Sequence, residues 1–429
     1  IGIGYFSREF AKWERLEEKN IAAALLKTVV STMAPQISTI PLIWMYYYEI
    51  PVYSLLVNLL VLPGMALLVA LAAVAGIVGL AFIKLALFPA GGAFFLVKAY
   101  EFICDLTLKL PGPLLLYGNP GRLRMLICYA FVLAFFVTAS VLGKKKPKKR
   151  HFSALVLLMV PLVFIRLPSN SVNMDFLSVG QGDCCVIRVS GKKAVIVDCG
   201  STSASLIAKY RLVPYLKYNG IDTVEAVFIT HPDKDHISGI LELLSDIDNS
   251  VRYTGTVRVK RLVVTPETLK SEKMAEILAL CEEKGVEVLT FLAGDVFWAG
   301  ELSMTCLYPA KAQDTADNAG SLVFLASAGS YDALLLGDSG TLAERAVLAA
   351  AASGLFELPV DLLKVAHHGS KNSSSEAFIR AVSPTVAILS YGRGNFYNHP
   401  NPIVVERLEA VNALIYKTGA GGAACFRLR

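Results

Sequence analysis

The chain has 429 residues, of which 54% are hydrophobic, with a mean hydropathy of +0.53 and a net charge of +6. That apolar weight excludes an ordinary soluble protein for the chain as a whole. The small charge excess sits largely in one basic run, so it gives no case for a broadly basic nucleic-acid surface.

The chain opens on Ile1 in a mixed stretch, GYFSREFAKWERLEEKN, without the features of a signal peptide, and reads as a fragment of a longer protein. From Ile21 to Ile83 the only charges are Lys27 and Glu49, and Val52–Ile83 has none, which exceeds the ~20 residues needed to cross a bilayer. Pro63-Gly64 predicts either a kinked long helix or a short broken segment followed by a full span at Met65–Ile83. Gly91–Leu110 carries Lys98, Glu101, Asp105 and Lys109 among apolar residues, and reads as an amphipathic segment facing a pore or lying at the interface. Leu123–Leu142 is a clear span and Phe152–Leu167 a shorter last one. Between them the run GKKKPKKRH, Gly143–His151, is a topology anchor more simply than a nucleic-acid element; it places that loop in the cytoplasm and everything after residue 167 on the external side.

The second part of the chain has an ordinary composition and length enough for its own core. Its most informative stretch is Phe228–Gly239, FITHPDKDHISG, an apolar strand running into His231, Asp233, Asp235 and His236. Imidazoles and carboxylates this close repel one another or stay poorly solvated unless a divalent cation holds them; the alternative is a polar turn that caps the next helix. The same pattern recurs downstream. The apolar run Tyr331–Gly337 ends at Asp338 within LLLGDSG, Val360–Ala366 ends at His367 and His368 within LKVAHHGS, and Val386–Tyr391 leads through a loop to His399 within NFYNHP. Five of the six histidines fall in these motifs, which favours the metal reading.

The HxDxDH run, the GD after a strand, the KxxHHGS and the NxxxHP resemble the metallo-β-lactamase superfamily. FLSVGQGD at Phe176–Asp183 and VDCG at Val197–Gly200 resemble, more narrowly, the lactamase-like domain of ComEC-type competence proteins. The likeness covers Ser171 to Arg429, and the apolar stretch that begins at Leu25 resembles the membrane-channel module of the same family, in the family's own order. This implies a multi-pass α-helical membrane region, residues 1–167, followed by an αββα sandwich, residues 168–429. The sequence departs from the superfamily in having Asp233 where the second histidine of HxHxDH stands. No histidine lies between His236 and Asp338, and Asn318 in NAGSLVF occupies the region of the missing one.

Two divalent ions, Zn²⁺ or Mn²⁺, are the expected cofactors, a carboxylate-rich donor set making Mn²⁺ a competitor to Zn²⁺ without deciding between them. Asp338 is the expected bridge; one ion takes His231, Asp233 and His367, the other Asp235, His236 and His399. Asp235 and Asp338 then serve catalysis as well as binding. His368 is read as supporting the ligands from behind or working on substrate, because neighbours at a strand end point to opposite sides. Asp198 is expected to orient a ligating histidine and Asp183 to support the first loop, unless it is only a turn carboxylate. Ser370, Lys371, Asn372 and Ser373 precede a helical stretch expected from near Ser374, and read as a phosphate cradle or as a simple cap. The eight cysteines form no ligand-like CxxC pair, and Cys184 and Cys185 point to opposite faces of a strand.

The expected function is DNA uptake across the plasma membrane, with a channel passing one strand and an external phosphodiesterase that degrades the other. DNA, the membrane, other competence machinery and further copies of the chain are the implied partners. A membrane-tethered hydrolase of phosphocholine-type or other small esters, and a non-catalytic scaffold stapled by metal, are the alternatives.

Overall fold

The computed structural model describes residues 36, 39–145, 171–245, 257–311 and 317–428. It divides into two compact units between Arg166 and Leu167. The expected span at Phe152–Leu167 and most of the basic run Gly143–His151 lie outside the described residues.

In the first unit, helix Ser54–Gly79 is apolar throughout and buries none of its side chains. Pro63 sits inside this helix without ending it, so the Pro63-Gly64 pair does not split it into two segments. Helix Ile83–Leu108 follows; it absorbs most of the expected amphipathic stretch, and Lys98 pairs with Glu101 on its exposed surface at 2.7 Å. Twenty-six residues each, at ~1.5 Å per residue, give both helices about 39 Å, more than the ~30 Å of a hydrocarbon core. Leu67, Val69, Ile77, Phe88 and Phe95 are all exposed. By length and composition these two helices can cross a membrane. The expected span Leu123–Leu142 lies inside helix Gly121–Lys145. Strands β1 (Glu49–Pro51) and β2 (Leu114–Leu116) pair antiparallel, and the indole N–H of buried Trp44 donates to the Gly118 carbonyl at 2.8 Å.

The second unit contains two sheets. The first comprises β3 (Val172–Phe176), β4 (Cys184–Val189), β5 (Lys193–Cys199), β6 (Thr223–Phe228), the short β7 (Arg258–Val259), β8 (Arg261–Val264) and β9 (Glu287–Thr290), with β17 (Ala424–Leu428) beside β3. The second holds β10 (Val296–Ala299), β11 (Leu302–Tyr308), β12 (Val323–Ala328), β13 (Tyr331–Leu335), β14 (Leu362–Lys364), β15 (Val386–Leu389) and β16 (Leu414–Lys417), in sequence order. Near-continuous apolar runs such as Cys184–Ile187 suit strands covered on both faces. The inner faces share one core, in which Phe228 meets the rings of Phe291, Phe297 and Phe324 at 6.0, 5.5 and 4.8 Å. Burying one such ring stabilises the fold by roughly 1.5–3 kcal/mol.

Two further cores lie on the outer faces. Helices Val213–Asn219, Lys234–Ser245 and Ala275–Lys284 cover the first sheet through Leu216, Ile240 and Ile277. Helices Thr341–Ala352, Glu376–Val382 and Pro402–Ala410 cover the second through Val347, Phe378 and Leu408. The unit is therefore an αββα sandwich.

Strands β5, β6, β8 and β9 run parallel, as do β13 to β16. Parallel strands send their carboxyl ends, and the loops that carry chemistry, to one edge. The ladders stop short of the apolar runs seen in the sequence: β13 ends at Leu335, β14 at Lys364 and β15 at Leu389. The residues that follow turn away from the sheet, Gly337 at φ +53° among them, and they deliver the ligand-type side chains.

The loop after β5 is packed backbone to backbone against the first motif. A Cβ on Gly200 would lie 2.4 Å from the carbonyl carbon of Asp235 and the amide nitrogen of His236. Gly200→Ala is expected to cost about 1–3 kcal/mol through overpacking and to displace the Asp235–His236 backbone. Thermal unfolding and metal content of the variant check this; wild-type values of both would show that the contact does not constrain the loop.

Candidate metal centre

His231 and His236 flank the start of helix Lys234–Ser245, one on the loop after β6 and one in the first turn. Both are buried, with ring centroids 4.1 Å apart. Their orientation is set by Asp198, which follows the centre of β5 at φ +54°. Its carboxylate accepts the Thr230 amide at 2.8 Å and the Thr230 hydroxyl at 2.8 Å, and lies 2.9 Å from His236 Nδ1. With the Thr230 proton committed to Asp198, His231 Nδ1–H donates to Thr230 Oγ1 across 3.1 Å. Each imidazole thereby keeps Nδ1 for the scaffold and turns Nε2 inward, as second-layer carboxylates do around metal ligands.

His367 and His368 occupy the turn Ala366–Gly369 after β14, both in the left-handed region at φ 50° and 54°. Two such non-glycine residues cost of order 1–3 kcal/mol each, and strain of this kind concentrates at functional sites. Strand alternation therefore does not apply to them. Instead of pointing to opposite sides, the pair brings His367 Nε2 to 3.7 Å and His368 Nε2 to 3.6 Å from the same Asp338 oxygen. His368 is buried, and its Nδ1–H donates to the Ser390 carbonyl at 3.0 Å; His367 is one-third exposed. His368 Nε2 also lies 3.4 Å from Asp235, and His236 Nε2 lies 3.4 Å from Asp338.

The remaining expected residues fall into three groups. His399 joins the centre, its ring 5.6 Å from that of His367 and 6.2 Å from that of His368. Asp233 stands at the edge, 3.6 Å from His231 Nε2 and 2.5 Å from Lys273 Nζ. Asp183 lies deeper, bound to the buried Lys364 ammonium and 3.6 Å from His368 Nδ1. Ser370, Lys371 and Ser373 are placed behind the His367–His368 turn. The Ser373 hydroxyl donates to the Ala366 and Ser370 carbonyls at 3.0 and 3.1 Å, and exposed Lys371 is not among the residues lining the cleft. The helix starts at Glu376, capped by Ser375, so its amino terminus is not offered by these residues.

One observation tests whether the donor set suits a cation. Asp183 Oδ1, His231 Nε2, His236 Nε2, Asp338 Oδ1, His368 Nε2 and His399 Nδ1 are all buried and without a hydrogen-bond partner. Buried polar atoms are rarely left so, and four of these six residues converge. Ligand atoms of Asp183, His236, Asp338 and His368 lie within 4.8 Å of one another. Nitrogen and carboxylate donors at this spacing fit divalent Zn²⁺ or Mn²⁺.

Without a cation the site balances itself with protons. Burial opposes charge on His236 and His368, but the carboxylates Asp338 and Asp198 outweigh it at His236, and Asp338 and Asp183 raise His368 to about 10. Burial equally opposes charge on Asp338, yet His368 and His236 hold it well below the usual carboxylate range. His399 is pushed the other way, to about 4, by burial and by His368 and His367, and stays neutral.

A cleft of about 620 Å³ opens over this centre. Asp235, Asp338, His367, His368 and His399 lie at its base, and Lys234, Lys273, Asn318 and Tyr397 line it towards solvent. The Asn318 amide nitrogen is 3.4 Å from His367 Nε2. Sequence reasoning passed over Thr230, Lys273 and Tyr397, and gave no role to Lys364, the lysine of KxxHHGS.

Residues 1–142 match the Competence protein family model, and residues 177–278 match the Metallo-beta-lactamase superfamily model. The chain is 26% identical over 425 residues to ComE operon protein 3 of Bacillus subtilis (strain 168), covering 94% of this chain and 52% of that protein. Recombination protein 2 of Haemophilus influenzae is 30% identical over 274 residues, with 63% of this chain and 31% of that protein covered. Competence protein ComA of Neisseria gonorrhoeae is 28% identical over 276 residues, with 64% and 35% covered. The chain thus spans about half, or less, of the length of these relatives.

Loading the centre should release protons, because a cation takes the Nε2 lone pairs that His236 and His368 otherwise use to hold hydrogen. Both pKa values are raised, so both rings are protonated at neutral pH. Metal affinity should then rise with pH, by up to about tenfold per unit for each proton displaced, until His368 deprotonates near 10. Calorimetric titration of Zn²⁺ or Mn²⁺ in buffers of different ionisation enthalpy should count one or two protons released; none would show that the imidazoles are already neutral.

Proposed function

Because the chain is of the ComEC-type competence family and carries a metallo-β-lactamase domain, we propose that it is the channel and hydrolase portion of a membrane DNA-uptake protein, whose metal domain cleaves phosphodiester bonds in the strand that is not transported. The supporting observation is the set of buried, partnerless donors around Asp338 at the base of an open cleft. A stapling site would be closed over, whereas this one meets a cavity with room for substrate. Lys234 lines that cavity as a cation suited to a phosphate backbone, while Lys273, also on its wall, is held in an ion pair by Asp233.

In this reading two divalent ions, when bound, supply a water-derived nucleophile at neutral pH and charge stabilisation at phosphorus. His231, His236 and His368 would hold them through Nε2, with His367 and His399 completing the imidazole set and Asp338 adding its carboxylate. Asp235 and Asp233 add carboxylate oxygens, Asp233 being steadied by Lys273. Asp198 and Thr230 hold the first two rings, and Lys364 holds Asp183.

The test is to purify the chain in detergent, load it with Mn²⁺ or Zn²⁺, and offer single-stranded DNA, duplex DNA and a small phosphodiester. Hydrolysis of DNA is expected, and Asp338→Ala should abolish it and leave one ion or none per chain. A variant that keeps two ions and normal turnover would remove Asp338 from the centre.

The reading also requires the metal domain outside the cell, where DNA arrives. The support is the run Lys144–Arg150, which the positive-inside rule keeps in the cytoplasm, followed by one crossing at Phe152–Leu167. A single cysteine placed at Asn170, in a background cleared of native cysteines, should react with a membrane-impermeant reagent on intact cells. Protection until lysis would put the domain in the cytoplasm.

A further inference from the structure

The loop that carries His399 also carries two exposed aromatic side chains that the metal centre does not use. Phe396 is fully exposed and Tyr397 is 61% exposed. Single exposed apolar side chains are common, but two adjacent aromatics on a loop that enters the cleft wall form a contact surface in the right place. The loop is not slack. Asn395 donates to the carbonyls of Gly392 and His399 at 2.9 and 2.6 Å, and its own oxygen accepts the amides of Tyr397 and His399, each at 3.1 Å. Gly392 is tied in turn to the Gln181 side chain at 3.1 Å. The two aromatics are held out on a hydrogen-bonded frame.

Tyr397 is also aligned with the centre. Its ring lies 5.9 Å from that of His399 with the planes only 25° apart; His399 and His368 follow at 6.2 Å and 35°, then His368 and His236 at 5.6 Å and 34°. Similarly tilted rings thus step from the cleft mouth to the buried donors. Lys234, and Lys273 in its ion pair with Asp233, line the same cleft.

We infer that Tyr397, with Phe396 beside it, is a stacking platform for the unpaired base that flanks a phosphate lying at the metal centre. A cationic edge that follows the backbone, joined to a flat aromatic face that takes any base, is how single strands are held without sequence preference. Bases inside a duplex are already stacked and cannot present a face, so the platform selects single strands or frayed ends over intact duplex. This inference rests on the nucleic-acid reading and names the part of the strand that the cleft recognises.

The probe is a pair of fluorescent oligonucleotides of equal length and charge, one with bases and one with an abasic sugar-phosphate backbone. Binding to the detergent-solubilised chain is read by anisotropy in an Asp338→Asn background that silences turnover. The base-bearing strand should bind about tenfold more tightly than the abasic one, the magnitude of a single base–aromatic stack. Tyr397→Ala should remove most of that ratio, Phe396→Ala part of it, and Tyr397→Phe should preserve it, since stacking needs the ring and not the hydroxyl. Both residues are exposed, so binding of the abasic strand should be unchanged and serves as the folding control. An unaltered ratio in Tyr397→Ala overturns the platform while leaving the nucleic-acid reading intact. Failure of the parent chain to bind either strand removes that reading and the platform with it. Loss of binding to anionic vesicles by the two alanine variants, with the oligonucleotide ratio intact, would make the loop a membrane contact and likewise overturn the inference.

Discussion

The carboxylate of Asp198 is the constraint on which the centre depends. Buried between β5 and the loop after β6, it takes two hydrogen bonds from Thr230 and one from His236. Through the Thr230 hydroxyl it also settles the proton on His231. One charged group thus fixes the tautomer of two imidazoles, leaving His236 Nε2 beside Asp338 and His231 Nε2 beside Asp233. Burying a carboxylate is expensive unless it is fully hydrogen-bonded, and here its partners are supplied by the motif it organises.

The fold sets the rest of the geometry through its parallel strands. The loops after β6, β13, β14 and β15 each contribute to the centre, and the loops bend sharply where the ladders end. The left-handed conformations of His367 and His368 are maintained because the loop around them is bonded on several sides. His367 N donates to the Gly337 carbonyl, Ser370 N to the His367 carbonyl, and Ser373 returns to Ala366. The backbone strain is the cost of placing two adjacent imidazoles on one carboxylate.

Much of this was legible in the sequence, and the parts that were not have physical reasons. Apolar runs ending in ligand-type residues announced the strands, and the gathering of five of the six histidines at such ends announced the edge where the candidate site lies. The apolar helices were visible as uninterrupted lengths, with one long helix through Pro63 as one of two readings, because proline reports a lost hydrogen bond and not whether the helix goes on. The relation between His367 and His368 was misjudged from strand alternation; a turn with both residues at positive φ leaves no trace in composition. The role of Ser370 to Ser373 was equally hidden, as the same residues can bind phosphate or close a turn, and only the positions of the Ala366 and Ser370 carbonyls distinguish the two. Lys364 was given no role because its partner, Asp183, is far away in sequence.

The account stands on the buried, partnerless donor atoms being the ligands of divalent cations. Anomalous diffraction from crystals of the Zn²⁺- or Mn²⁺-loaded protein, recorded at the absorption edge of the added metal, tests this most directly. The account predicts density beside Asp338, with His236 and His368 Nε2 as ligands at metal–nitrogen distances of about 2.0–2.1 Å for zinc. Metal bound elsewhere, or a loaded crystal in which these nitrogens remain paired only with carboxylates, would contradict it.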